Sequence, residues 1–175
     1  MFNIGFDYRI ESVGGEAHIV KIINKDGSEV HLADKGMGSI QLMILLFRIA
    51  TKMAEAGVTY GKKEVKSLLI IEEPEQNLHP QLQSRLADFF YKLNKDYGFR
   101  FIIETHSEYL IRKSQVLVGK GDKESTDFAN PFKVIYFPAD GLAPYEMIYR
   151  EDGKFENEFG TGFFDEAANL AFEIF

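Results

Sequence analysis

The chain has 175 residues, 45% of them hydrophobic, which is enough for one compact domain with its own core or for part of a larger one. Its formal charge of −7 removes any general electrostatic reason to bind nucleic acid, and the best basic cluster, Lys62, Lys63 and Lys66, reads as a solvated turn. There is no cysteine, which excludes disulfides, thiolate metal sites and thiol nucleophiles.

The first residues, MFNIGFDYRIES, lack the basic-then-apolar layout of a signal peptide, and the longest apolar run, residues 40–50, is too short to span a bilayer. A cytoplasmic chain with no membrane contact is the expectation. Phe2, Ile4, Phe6, Tyr8 and Ile10 alternate with polar residues or glycine, the period of a half-buried strand. Gly14-Gly15 turns the chain into AHIVKIINK and Asp26-Gly27 turns it again into SEVHL, so the first third predicts an antiparallel β meander.

ADKGMGS is a glycine-bearing loop that feeds a helix, in which Met43, Leu46, Phe47, Ala50, Met53 and Ala54 recur at helical spacing up to a stop at Gly57. Leu42, Leu45 and Ile49 make this helix apolar nearly all round, which predicts burial. SLLII has the length and branching of a buried parallel strand. Beyond it Pro80 suits a first helical turn, and Leu82, Leu86, Phe89, Phe90 and Leu93 share one helical face. A second buried strand, RFIIET, precedes His106, a short helix and a polar loop from Gly119 to Pro131. KVIYF and YEMIY are strands expected to complete the sheet. Phe164, Ala167, Ala168, Ala171, Phe172 and Phe175 predict a closing amphipathic helix packed on the body. The strand-helix-strand-helix order in the middle gives an α/β class, with parallel strands flanked by helices and the meander at the side. A single domain over residues 1–175 is expected, divided into a meander (1–32), a central region (33–118) and C-terminal strands and helix (119–175).

Ligands of a parallel sheet collect at the carboxyl ends of its strands, and both buried strands end in ionisable residues, Glu72-Glu73 on one and Glu104-Thr105-His106 on the other. Carboxylates so placed can hold a magnesium ion, directly or through its waters, while a neighbour deprotonates an attacking water. A histidine nearby can hydrogen-bond a terminal phosphate. The set fits nucleotide hydrolysis.

LLIIEEPEQNLHP resembles the Walker B strand and D-loop of ABC-type ATPases, in the soluble branch that includes the structural-maintenance-of-chromosomes, RecF and overcoming-lysogenization-defect proteins, and FIIETHS resembles their switch-histidine strand. The resemblance implies a partial P-loop NTPase fold that uses ATP and Mg2+. Glu72 would take the Walker B carboxylate position, acting on magnesium through water, Glu73 would be the catalytic base, and His106 would sense the γ-phosphate. Glu72 departs from the more usual aspartate by one methylene. Asn77, Leu78, His79 and Pro80 would form the D-loop that crosses a dimer interface, with Asn77 and His79 near the partner's nucleotide. DKGMGSIQ is similar to the signature motif, so Gly36, Gly38, Ser39 and Gln41 would meet the γ-phosphate held by the other subunit. The physics agrees: the glycines permit close backbone approach, the serine offers a hydroxyl, and the helix N-terminus favours an anion. GTGFFDEAANLAFEIF resembles the C-terminal end of a group of bacterial ATPases often encoded with defence or repair genes, so the resemblance runs from about Leu32 onward.

Phosphate binding in this family needs G-x-x-x-x-G-K-[ST], and no stretch supplies it. GVTYGKK, residues 57–63, is one residue short between its glycines, ends in lysine and follows a helix, so it reads as a helix stop and a turn. The chain therefore reads as the C-terminal half of an ATPase, inactive alone, that works as a homodimer or with a P-loop-bearing chain. Taken singly, each feature has a plainer reading. Glu72-Glu73 could be charge at a helix entry, Gly36 and Gly38 an ordinary loop, His79 and His106 polar residues at strand ends, and Asp165-Glu166 favourable charge at a helix start. Their order and spacing decide for the ATPase. Two other functions remain open. One is a noncatalytic dimerisation module; the other is a metal-dependent hydrolase using Glu72, Glu73, Glu75, His79 and His106, which lack a spacing such as H-E-x-x-H.

Overall fold

Alternating charge builds the first sheet. The computed structural model describes residues 2, 4–58, 64–121, 130–139 and 141–174, and these fall into two units, Met1–Thr105 and His106–Phe175. In the first, β1 (Asp7–Val13), β2 (Ala17–Ile23) and β3 (Glu29–His31) pair antiparallel in that order. The register sets Arg9 opposite Lys21, a like-charge pair that by itself would oppose pairing. Two carboxylates offset it: Arg9 reaches Glu11 at 2.9 Å and Glu29 at 2.7 Å, and Lys21 reaches Glu11 at 2.8 Å. The Lys21 hydrogen bond holds the Glu11 carboxyl below its usual range. Exposed pairs add little stability, but they fit only this register.

The predicted meander is present, with two corrections. The first strand begins at Asp7 rather than Phe2, and its apolar positions Phe6, Tyr8 and Ile10 are exposed rather than half-buried. β1 is an edge strand, and its aromatic contact is Tyr8 against Phe47, at 5.2 Å between ring centroids.

A short 3₁₀ turn, Leu32–Lys35, leads through Gly36 into α1 (Met37–Glu55), which ends before Gly57 as expected. This helix is not buried all round: Leu42, Met43 and Ile49 are inside, whereas Met37 and Ile44 are more than half exposed. It also extends past the apolar run on both sides. At 19 residues and a mean hydropathy of 1.3 it is long and apolar enough to cross a membrane, contrary to the sequence estimate, although core helices of soluble proteins meet the same criterion. Lys62 and Lys63, like most of GVTYGKK, lie outside the described residues; Lys66 is exposed and sits 3.5 Å from Glu64.

β4 (Leu68–Glu72), α2 (Pro80–Tyr97) and β5 (Arg100–Glu104) form the expected parallel unit. Pro80 occupies the first helical turn, where its missing N–H costs nothing. Gly98 closes α2 in the left-handed conformation at φ 72°, its N–H donating to the Asn94 carbonyl at 2.8 Å. That reversal drops Phe99, fully buried, into a core with Ile49, Val65 and Leu93. The strands are less buried than their composition predicts, because residues alternate: Leu69, Ile71, Phe101 and Ile103 turn inward, while Leu68, Ile70 and Ile102 are 51%, 72% and 55% exposed.

The second unit contains α3 (Glu108–Gly119), β6 (Val134–Tyr136), β7 (Tyr145–Met147) and α4 (Glu166–Ile174). β6 and β7 pair with each other, antiparallel, and form a separate sheet instead of completing the parallel one. Asn157 extends their pairing by side chain: its Oδ1 accepts from the Ile148 N–H at 2.9 Å and its Nδ2 donates to the Glu146 carbonyl at 2.8 Å. Aromatic rings at Tyr136, Tyr149, Phe155, Phe159, Phe163 and Phe164 pack edge-on or stacked. The closing helix forms where predicted, but it has no buried residue, and Phe172 is 82% exposed.

α3 is tied to this sheet region by a buried hydroxyl pair. Ser114 Oγ donates to the Ile111 carbonyl at 2.6 Å, so the 2.6 Å contact with Tyr149 Oη takes its proton from the tyrosine. Burial pushes the Tyr149 hydroxyl up to about 12. Because the unfolded tyrosine ionises near 10, its contribution is complete below pH 10 and is lost as pH rises to about 12. Urea unfolding should therefore show stability falling over that window by on the order of 2 kcal/mol. Tyr149→Phe should remove that part of the slope at a neutral-pH cost of about 1 kcal/mol.

Candidate functional site

The parallel register sets Leu68 beside Arg100, Ile70 beside Ile102 and Glu72 beside Glu104, so the two strands end with their carboxylates on one face. Glu73 then leaves the strand at φ 41°, a strained value for a residue with a side chain. Its N–H still donates to the Glu104 carbonyl at 3.0 Å, the last rung of the pairing. Carboxylate oxygens of Glu73 and Glu104 lie within 4.8 Å of one another. Two such oxygen donors could contribute to holding a hard cation such as Mg2+.

The loop after Glu73 is stitched to its surroundings. The Gln76 N–H donates to the Glu73 carbonyl at 3.1 Å and the Leu78 N–H to the Glu75 carbonyl at 3.0 Å, with Asn77 between them at φ 59°. Leu78 is buried, and its carbonyl accepts from Gln83 Nε2 at 2.9 Å. Glu75 is buried as well and accepts from Thr105 Oγ1 at 2.6 Å, which joins the loop to the residue after β5. His79 caps α2: its Nδ1 accepts from the Gln81 N–H at 3.3 Å, and Pro80 follows.

The start of α1 lies against this loop. Gly36 holds φ 88° with open space around it, so backbone conformation alone demands glycine there. At Gly38 the demand is spatial, since a Cβ would come within 2.5 Å of the Asn77 carbonyl oxygen and 2.8 Å of Leu78 Cδ2. Ser39 Oγ donates to the Lys35 carbonyl at 3.2 Å. Gln41 Nε2 donates to Gln76 Oε1 at 3.0 Å, Asn77 Nδ2 donates to Gln41 Oε1 at 3.3 Å, and Gln76 Nε2 donates to Glu73 Oε2 at 3.0 Å.

The first unit thus brings Gly38, Gln41, Glu73, Asn77 and Leu78 together, with Glu72 at the adjoining strand end. His106 is exposed, follows Glu104 by two positions in the chain and opens the second unit. Of the residues proposed for a metal hydrolase, Glu75 and His79 have structural roles in the loop and the cap. Gln76 was not singled out by sequence. A glutamine three residues past a carboxylate carries no signal until the turn at Glu73 folds it back.

An α/β domain with a parallel strand-helix-strand layer and carboxylates at its strand ends defines the class, one in which ligands bind beyond the carboxyl ends of the strands. The chain belongs to the AAA ATPase domain family, which matches residues 3–111, more than half of its length. It is also similar to the energy-coupling factor transporter ATP-binding protein EcfA2 of Bacillus thuringiensis, Bacillus cereus and Bacillus anthracis, 39% identical over 56 residues. That stretch is 32% of this chain and only 18% of those relatives' length. Among solved structures, a chain described under the structural biochemistry of ATP-driven dimerization and DNA stimulated activation of SMC ATPases aligns with 98% of this chain and 84% of its own. Identity there is 10% and the TM-score 0.49, which leaves the family assignment to the sequence match.

Gly38→Ala should cost about 1–3 kcal/mol in urea unfolding, because its methyl meets backbone that cannot retreat without breaking the loop. Gly36→Ala should cost about 1 kcal/mol through its φ alone.

Proposed function

We propose that this chain supplies the Walker B strand, D-loop, switch histidine and signature-like loop of an ABC-type ATPase of the RecF and overcoming-lysogenization-defect kind. The observation that carries the reading is the pair of parallel strands whose register sets Glu72 beside Glu104 and whose ends bring the carboxylates of Glu73 and Glu104 close, within a chain of the AAA ATPase domain family. Because the 175 residues hold no G-x-x-x-x-G-K-[ST] stretch, the nucleotide phosphates would be gripped by a P-loop from another segment or chain.

In this reading Glu72 would help to hold Mg2+, which would supply positive charge to offset that of the nucleotide phosphates. Glu73 accepts the proton of the attacking water, its carboxylate oriented by Gln76. The resemblance assigns His106 to the γ-phosphate. Gly36, Gly38, Ser39 and Gln41, together with the D-loop Asn77 to Pro80, would face the nucleotide of a second subunit in an ATP-bound homodimer or a pair with a P-loop-bearing chain. Cytoplasmic work in DNA repair or phage defence completes the proposal.

Equilibrium dialysis with ATP and phosphate release with magnesium test it. The isolated chain should show neither binding nor turnover, and both should appear when a P-loop-bearing partner chain is added. Glu73→Gln should then keep ATP bound while kcat falls on the order of 100-fold or more. Turnover by the chain alone, or a Glu73→Gln variant with unchanged kcat in the pair, overturns the reading.

A further inference from the structure

Three side-chain amides form a directed series. Asn77 Nδ2 donates to Gln41 Oε1, Gln41 Nε2 donates to Gln76 Oε1, and Gln76 Nε2 donates to Glu73 Oε2, at 3.3, 3.0 and 3.0 Å. Each amide gives its N–H toward the next oxygen, and the series ends on the carboxylate. A primary amide has one oxygen and one NH2, so fixing the acceptor at one end fixes which group points out at the other. Gln76 can aim its NH2 at Glu73 while Gln41 offers a donor to its oxygen. If Gln41 offered an acceptor instead, Gln76 would gain by turning over and presenting oxygen to the carboxylate, a repulsive contact.

The series crosses from one element to another. Gln41 belongs to α1, whereas Gln76 and Asn77 belong to the loop after β4. Gly38, one turn before Gln41, brings the two backbones together, since nothing larger fits against the Asn77 carbonyl. Glu73 and Asn77 both hold positive φ, and from there Asn77 reaches Gln41 on α1 while Glu73 meets Gln76 within the loop. A strained loop, a glycine contact and two amide-to-amide hydrogen bonds thus lead to the one hydrogen bond that Gln76 donates to the Glu73 carboxylate.

We infer that Gln41 and Gln76 are positioning residues, an amide relay through which the first turns of α1 set the orientation of the Glu73 carboxylate. Gln76 need not touch nucleotide, and Gln41 acts here on the Glu73 of its own chain. A shift of the glycine-bearing turn, by whatever ligand or partner moves it, reaches Glu73 through the relay and changes how its carboxylate is aimed. The role in hydrolysis rests on the ATPase reading above; the relay itself does not.

The test uses the full chain without nucleotide, labelled with 13C and 15N, and reads the Glu73 Cδ resonance and the side-chain amide of Gln76 at neutral pH. Gln41→Glu is nearly isosteric and keeps the acceptor for Asn77, but it removes the donor to Gln76. It should shift both resonances, and Gln76→Leu should shift Glu73 Cδ. Gln41→Asn, which keeps the donor but is one methylene short, should behave like Gln41→Glu. Arg48→Gln, on the exposed side of α1, should leave both resonances unmoved. A Glu73 Cδ resonance indifferent to both Gln41→Glu and Gln76→Leu overturns the relay and leaves the ATPase reading standing. Conversely, the expected shifts in a chain that never supports ATP turnover would sustain the relay and sink only its catalytic use. In an active pair, Gln76→Leu should lower kcat on the order of 10-fold with KM within about 2-fold, the split expected when an interaction matters mainly in the transition state.

Discussion

The parallel pairing of β4 with β5 is the constraint on which the first unit depends. It needs two strands of equal length running the same way, and α2 is the crossover that returns the chain to begin the second. Both ends of that crossover are specified chemically. His79 and Pro80 start the helix, and Gly98 ends it in the only backbone conformation that sends Phe99 inward and lets the Arg100 N–H reach the Ser67 carbonyl at 2.9 Å. With Phe99 seated against Ile49, Val65 and Leu93, the register is locked and Glu72 stands beside Glu104. A slip of one residue would put Glu104 on the opposite face of the pair from Glu72.

Glu72 and Glu104 stand side by side at the strand ends, and the loop that follows leaves the strand at Glu73. The left-handed turn at Glu73 is costly for a glutamate, on the order of 1 kcal/mol or more. The turn persists because the Glu104 carbonyl, the Gln76 N–H and the packing of Leu78 each require it. The stored strain and the shared hydrogen bonds mean that this loop and the start of α1 are a single mechanical element. Under the proposed function, these are the two segments that face a second subunit's nucleotide.

Apolar surface remains open elsewhere. Leu68, Ile70 and Ile102 form one exposed face of a parallel pair, an arrangement that parallel sheets ordinarily cover on both sides. Under the proposed function, cover of that kind would come with the lobe that carries the P-loop. α4 likewise presents Leu170, Phe172 and Ile174 to solvent.

Sequence alone determined the antiparallel meander, the parallel strand-helix-strand unit, the helix start at Pro80 and the position of the paired glutamates. All of these rest on local chemistry: a two-residue or a 3.6-residue period, a missing N–H, a glycine that can take positive φ. It misjudged what depends on neighbours. The burial of β1, α1 and α4, and the sheet to which β6 and β7 belong, are set by which surfaces meet, and no period in the chain encodes that. The amide series from Asn77 to Glu73 joins residues 35 or 36 positions apart across its α1 links. Only the tertiary structure could decide it, because Gln41 meets Gln76 solely where Gly38 lets two backbones touch.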